Sequence, residues 1–177
     1  MIALARHGET DYNHAGRFQG HLPVSLNATG QVQAQTLARL AAQRPWAALW
    51  ASSLQRARET ADIVAAAVEL TPRLDARLAE TDCGDWTDRP FEEVRAEDPD
   101  GFAAYQRADA GFRFPGGESF AEQQARVAAA ITEIRAQELP ALVICHRGVI
   151  RLALVSATGD EAQREAEVPN GALVELA

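Results

Sequence analysis

The stretch Met1-Ile2-Ala3-Leu4-Ala5-Arg6-His7-Gly8-Glu9-Thr10 sets an apolar run, Ile2 to Ala5, directly against an arginine, a histidine and a glycine. A short continuous apolar run reads as a strand buried on both faces, here Ile2–Arg6. Such strands belong to parallel sheets covered by helices, where ligands bind outside the carboxyl ends of the strands. That reading commits the rest of the chain: strands should alternate with helices, and chemistry should come after each strand.

The downstream pattern alternates in this way. Asn27 predicts an N-cap for a helix running to about Gln43, with Ala34, Leu37, Ala38 and Ala41 on one face. Trp46–Ser52 reads as a second strand. Ser52 or Ser53 is expected to cap the next helix, whose stripe is Ala57, Ala61, Val64 and Val68. Thr71–Asp75 predicts a weaker strand at an edge. Ser119 and Glu122 form a capping box before a long helix with an apolar face of Val127, Ala130, Ile131 and Ile134. Ala141–Cys145 is the most strand-like run, followed by a short helix from about Val149 and a last strand, Ala172–Leu176. The expected fold class is α/β, a mostly parallel sheet flanked by helices on both faces, in a single domain over residues 1–177. Between Gly84 and Gly116 the periodicity breaks down. That segment holds Trp86, Phe91, Phe102, Tyr105, Phe112 and Phe114, six of the eleven aromatic residues. It reads as an inserted helical lid over a pocket or, equally, as an irregular piece of core.

Composition excludes several classes. A length of 177 residues suits one domain with a substantial core. No apolar run approaches the roughly 20 residues of a membrane span, and no basic n-region with an apolar h-region directs export, so a cytoplasmic location is expected. The net charge of -8 argues against nucleic-acid binding, which rests on neutralising phosphates. All 17 basic residues are arginine, so neither a P-loop lysine nor a Schiff-base lysine exists here. Cys83 and Cys145 form no recognisable disulfide or metal pair. His14 and His21 come after His7 at intervals of seven, but in loop sequence, and read as solvated rather than as metal ligands.

The residues just beyond the predicted strands form one chemical set: Arg6 and His7, then Arg56 in the opening turn of a helix, then Glu80, then His146 with Arg147 and Gly148. Arginines bind phosphate bidentately, and helix N-termini add backbone donors. A neutral imidazole is a competent nucleophile toward phosphorus, and a nearby guanidinium helps keep it neutral. A carboxyl group can protonate a departing oxygen, provided burial holds its pKa up.

These residues resemble a known family. The segment LARHGET (4–10) resembles the signature of the histidine phosphatase superfamily, in its phosphoglycerate-mutase-like branch. DYNHAGRFQG (11–20), ASSLQRARETA (51–61), LAETDCGDW (78–86), FPGGES (114–119) and VICHRGVIR (143–151) resemble its further motifs in order. The resemblance implies that His7 is the nucleophile and forms a phosphohistidine, and that Glu80 is the proton donor. It implies that Arg6, Arg56 and His146 hold the phosphoryl oxygens, with Asn13, Gln19 and Gly20 around them. No cofactor and no metal are implied, and the expected partner is a small phosphomonoester; a homodimer through the lid aromatics is compatible with the sequence.

Two positions depart from the family pattern. Pro23-Val24-Ser25-Leu26-Asn27 replaces a common Asp-x-Pro-Leu-Thr, which bears on substrate choice. Arg147 stands where glycine usually succeeds the second histidine; it is read as pointing to solvent, with a phosphate contact as the alternative. Asp82, near Glu80, reads as exposed loop. The run Cys145 to Arg151 also fits Cys-x-x-Gly-x-x-Arg, which resembles the loop of cysteine-based phosphatases, but Leu152 and the missing upstream histidine fit that poorly. A non-catalytic phospho-ligand binding protein is a further alternative, disfavoured because nucleophile and acid are both present. Against a cofactor-dependent phosphoglycerate mutase stand the short stretch after the last strand and the scattering of Arg89, Arg95, Arg107 and Arg113 among acids. A metal-independent phosphatase is the expected activity.

Overall fold

The N-terminal run is strand β1 (Ile2–Arg6), paired in parallel with β4 (Ala141–Cys145) in the computed structural model, which describes residues 1–176. On the far side of β4 lies β2 (Ala48–Ser52), and beyond it the short edge strand β3 (Arg73–Asp75), both parallel. The last strand, β5 (Leu173–Leu176), runs antiparallel along the other side of β1. The order is therefore β3-β2-β4-β1-β5, an α/β sheet that is parallel except at one edge.

Period-two alternation sorts the apolar side chains to two faces. Ile2, Leu4, Trp50 and Val143 pack with α6 (Phe120–Arg135) and α7 (Arg147–Thr158). Ala3, Ala5, Leu49, Leu142 and Ile144 pack with α2 (Ala28–Ala41) and α3 (Gln55–Val68). The predicted face of α2 is buried, Ala34, Leu37, Ala38 and Ala41, and so are Val127, Ala130 and Ile134 of the α6 face, with Ile131 partly buried against the same core. Asn27 caps α2 by accepting from the Gly30 N–H, and Ser119 with Glu122 closes a capping box on α6.

Two helix starts differ from expectation. Neither Ser52 nor Ser53 caps α3; Leu54 occupies the N-cap and offers no side-chain acceptor. The helix predicted from Val149 begins at Arg147, with His146 as an N-cap that makes no side-chain bond.

Residues 84–116 contain α4 (Phe91–Glu97) and α5 (Pro99–Gln106). Their aromatic side chains pack with Phe18 and Phe120 into a third core cluster, the Phe18 and Phe91 rings lying 4.5 Å apart. A short helix, α1 (Asp11–Ala15), comes after β1. Among the described residues no helix is long and apolar enough to cross a membrane.

The register brings the site together. Arg6 pairs with Cys145, and the His7 N–H donates to the Cys145 carbonyl at 3.0 Å, so β1 and β4 release His7 and His146 side by side. The loop after β1 is pressed against the first turn of α2: a Cβ on Gly8 would lie 2.2 Å from the Gly30 oxygen, and one on Gly30 2.0 Å from the Glu9 oxygen. Only glycine lets two backbones approach so closely.

Candidate active site

A cavity of about 330 Å³ opens beyond the carboxyl ends of β1 and β4, within the 300–1,000 Å³ usual for metabolite pockets. Its polar end is built around His7, which is 2 % exposed. The His7 Nδ1–H donates to the Gly8 carbonyl at 2.6 Å, and Arg56 Nε donates to Nε2 at 3.3 Å. One nitrogen therefore carries the proton and the other keeps its lone pair, turned toward a guanidinium. Burial, then the Arg56 and Arg6 cations, hold the His7 pKa well below the ordinary imidazole value. The ring is neutral at neutral pH. Asn170 Nδ2 holds the His7 carbonyl at 3.0 Å, and the Gly8 N–H reaches Thr60 Oγ1 at 3.1 Å.

Arg56, on the first turn of α3, is almost wholly enclosed and reaches the Gly20 carbonyl at 3.0 Å. Burial lowers its pKa to about 10, so it stays cationic. Arg6, at the end of β1, donates to the Val168 carbonyl at 2.7 Å while its buried Nε has no partner. Burial, then Arg147, lowers its pKa to about 10 as well. Asn13 and Gln19 line the same cavity and are organised by Thr10: its hydroxyl donates to Gln19 Oε1 at 2.8 Å, and its N–H to Asn13 Oδ1 at 3.1 Å. Gly20 lines it too.

Glu80 faces this group from the loop after β3. Its carboxylate accepts from the Thr81 N–H at 3.1 Å, from Gln123 Nε2 at 3.2 Å and from the Gly148 N–H at 3.3 Å. Burial pushes its pKa up, as the proton-donor reading requires. Arg56, the two backbone donors and Arg147 outweigh it, and the net direction is down. Ligand-free Glu80 is therefore a carboxylate, and the condition set from the sequence, that burial hold its pKa up, is not met.

His146 lies outside the cavity lining, its ring centroid 5.1 Å from that of His7. Its Nε2 is 2.8 Å from Ser52 Oγ, and its buried Nδ1 has no partner. Burial, then Arg56, keeps this imidazole neutral as well.

Other expectations change. Arg147 does not point to solvent: it lines the cavity and donates to the Tyr105 hydroxyl at 3.3 Å. His21 is exposed, yet its Nε2 donates to the Glu80 carbonyl at 2.7 Å and so braces the acid loop. Asp82 lies outside the cavity lining and caps the Gly84 N–H at 3.0 Å. Cys145 is fully buried among core side chains, and burial pushes its thiol far up. A thiol so held is no nucleophile, which removes the cysteine-phosphatase reading. No group of three or more His, Cys, Asp or Glu among the described residues is arranged to hold a metal ion.

Sequence reasoning missed Gln123 and Arg126. Gln123 is fully buried on the apolar stripe of α6, where it links the Thr81 hydroxyl (2.6 Å) to Glu80. A polar residue on a core stripe was the available signal. Arg126 ties the acid loop down through the carbonyls of Arg77, Ala79 and Glu80, and pairs with Glu118 at 2.6 Å.

Comparison with known proteins gives a consistent result. A sequence model of the histidine phosphatase superfamily (branch 1) matches residues 2–177. The glucosyl-3-phosphoglycerate phosphatase of Mycobacterium tuberculosis is 33% identical over 159 residues, covering 84% of this chain and 71% of that one. The adenosylcobalamin/alpha-ribazole phosphatase of Salmonella typhimurium is 34% identical over 155 residues, covering 85% and 76%. The solved structure of mycobacterial glucosyl-3-phosphoglycerate phosphatase with VO3 superposes with a TM-score of 0.89 at 29% identity, over 97% of this chain and 88% of that one.

Proposed function

This chain belongs to the histidine phosphatase superfamily and is a phosphoric monoester hydrolase, and we propose that it works through a phosphohistidine at His7 Nε2. One observation carries this: the Gly8 carbonyl accepts a hydrogen bond from Nδ1–H and so fixes the proton on Nδ1, leaving the Nε2 lone pair turned toward Arg56.

In the first step Nε2 attacks phosphorus, the N–P bond forms and the bond to the leaving oxygen breaks. Arg56 and Arg6 hold the peripheral oxygens, with Asn13, Gln19 and the Gly20 segment around them, and His146 stands beside the His7 ring. The departing oxygen needs a proton, and ligand-free Glu80 has none to give. Substrate binding supplies it: a phosphoryl dianion offsets the cations that hold the Glu80 pKa down, and the carboxylate takes up a proton on binding. Glu80 then protonates the leaving alkoxide. In the second step Glu80, again a carboxylate, takes a proton from water as the water oxygen attacks phosphorus. The N–P bond breaks and its electron pair returns to Nε2.

The substrate is read as a small phosphorylated metabolite. The cavity volume supports that class, as do the compounds named for its relatives, glucosyl-3-phosphoglycerate and alpha-ribazole. Phosphate release from a panel of phosphomonoesters with chelator present tests the reading. Release by the wild type, lost by at least about 10³-fold in His7→Ala, is the expected result. Release that survives in His7→Ala, or that requires added metal, would sink it. Interconversion of 3- and 2-phosphoglycerate without net release would mean a mutase.

A further inference from the structure

Gln123 stands at a core position of α6. Phe120, Gln123, Val127, Ala130 and Ile134 recur at intervals of three and four and form the buried stripe of that helix. The other four are apolar, and Gln123 is 0 % exposed. An amide enclosed at such a position is costly unless both its ends are bonded. Here both are: Thr81 Oγ1 donates to Gln123 Oε1 at 2.6 Å, and Gln123 Nε2 donates to Glu80 Oε1 at 3.2 Å. The pairing fixes the amide, since turned over it would set its own oxygen against the carboxylate. Gly148, at the start of α7, makes the room. A Cβ there would lie 2.4 Å from Glu80 Oε1 and 3.1 Å from Gln123 Nε2, so one missing side chain admits both groups. All four residues, Glu80, Thr81, Gln123 and Gly148, line the catalytic cavity.

The donors divide unequally between the two oxygens of the acid. Oε1 accepts from the Thr81 N–H at 3.1 Å and from Gln123 Nε2. Among the described residues Oε2 accepts from the Gly148 N–H alone, at 3.3 Å. Each carboxylate oxygen offers about two acceptor positions. Those of Oε1 are both taken, whereas Oε2 keeps one for a proton. A proton on Oε1 would break one of its two bonds and leave a buried donor without a partner, the costly half of any lost hydrogen bond.

Resting on the phosphatase reading above, we propose that Gln123, oriented by Thr81, is a positioning residue for the acid: it occupies Oε1 and so places the transferable proton on Oε2. In the first step the Oε2–H bond breaks, the proton passes to the leaving oxygen, and the electron pair of that bond stays on Oε2. In the second step Oε2 takes a proton from the attacking water. Gln123 and Thr81 exchange no proton themselves. Without the amide, Oε1 competes for the proton and the acid loses its fixed point of delivery.

The test compares kcat/KM for two esters of similar size: benzyl phosphate, whose leaving alkoxide needs a proton, and p-nitrophenyl phosphate, whose leaving phenolate hardly does. Gln123→Met removes the amide at nearly constant volume, and Thr81→Val removes the hydroxyl that orients it. Gln123→Met should lower kcat/KM for the benzyl ester by about tenfold or more, and for the nitrophenyl ester by less than about threefold. Thr81→Val should shift the ratio of the two in the same direction by about threefold, the worth of one neutral hydrogen bond. Thr81→Ser, which keeps the hydroxyl and loses only a methyl group, should restore most of that shift. A role in packing alone predicts otherwise: equal losses on the two esters, and Thr81→Ser no better than Thr81→Val. Either of those results would overturn the proposal, and the Thr81 pair decides it if Gln123→Met does not fold. Failure of the phosphatase reading looks different and takes the proposal with it: the wild type would release phosphate from neither ester.

Discussion

The Gly8 carbonyl, the Arg56 guanidinium and enclosure together make His7 a neutral base whose Nε2 lone pair faces Arg56. Those features are invisible in the letters Arg-His-Gly, although the letters locate the residue. Glu80 shows the same division. Its position after β3 was legible, but its ionisation depends on Arg56, Arg147 and two backbone donors that only the fold assembles. Glu80→Gln keeps an oxygen acceptor for the Gly148 N–H and removes the proton donor. Alkyl phosphate turnover should fall by about 10²–10⁴-fold. Turnover of p-nitrophenyl phosphate, whose leaving phenolate needs little help, should fall far less; equal losses on the two esters would remove Glu80 from the proton-donor role. Gly148 offers a second test, since a Cβ there would lie 2.4 Å from Glu80 Oε1. Gly148→Ala favours the helix by propensity yet displaces the acid. It should lower kcat tenfold or more, on the order of 1.4 kcal/mol, without lowering the melting temperature. A loss of stability with kcat intact would contradict that account.

Helices were legible where the signal is periodic burial or a local cap, as in α2 with Asn27 and α6 with Ser119 and Glu122. They were misread where the site takes over the helix end. At α3 the expected serine cap is absent because Ser52 Oγ lies 2.8 Å from His146 Nε2, and α3 starts uncapped at Gln55. At α7 the first turn was placed too late, because Arg147 and Gly148 look like loop sequence. They are instead the uncapped N-terminus whose Gly148 N–H meets the Glu80 carboxylate. A helix end that leaves its donors to a neighbouring carboxylate or ligand carries no cap signature. The crossing of α2 with the His7 loop was also hidden, since Gly8 and Gly30 are remote in sequence and only their contact explains them. With Glu9 O 2.0 Å from its new Cβ, Gly30→Ala must move α2 or the loop. It should cost about 1–3 kcal/mol in urea unfolding, against the propensity gain alanine normally brings in a helix. A variant as stable as the wild type would show that the two backbones separate freely.

The parallel sheet was legible from the order of apolar runs because buried strands and amphipathic helices have different periods. The site edge was legible through the rule that ligands sit beyond strand carboxyl ends. The contribution of residues 84–116 was ambiguous because aromatic clusters obey no period; their side chains both pack on one another and line the cavity. The assembled molecule adds a pair of buried neutral histidines, and these couple catalysis to stability. Burial, then Arg56, holds both His7 and His146 well below the ordinary imidazole pKa. In the unfolded chain each titrates near 6.5, so below that pH unfolding takes up protons the native state does not bind. Stability is therefore full above about pH 6.5 and declines as the pH falls. The limiting slope is about 1.4 kcal/mol per pH unit for each histidine, or about 2.7 for the pair. The depressed carboxyls of Asp75 and Glu80 act in the same direction, but only near pH 4, where unfolded carboxyls protonate. Urea unfolding between about pH 7 and about pH 5 isolates the histidine contribution. His7→Gln should remove roughly one proton from the slope while leaving that of His146. A wild-type stability that is flat over that range, or a slope that His7→Gln leaves unchanged, would mean that His7 is protonated in the native state and has no lone pair for phosphorus.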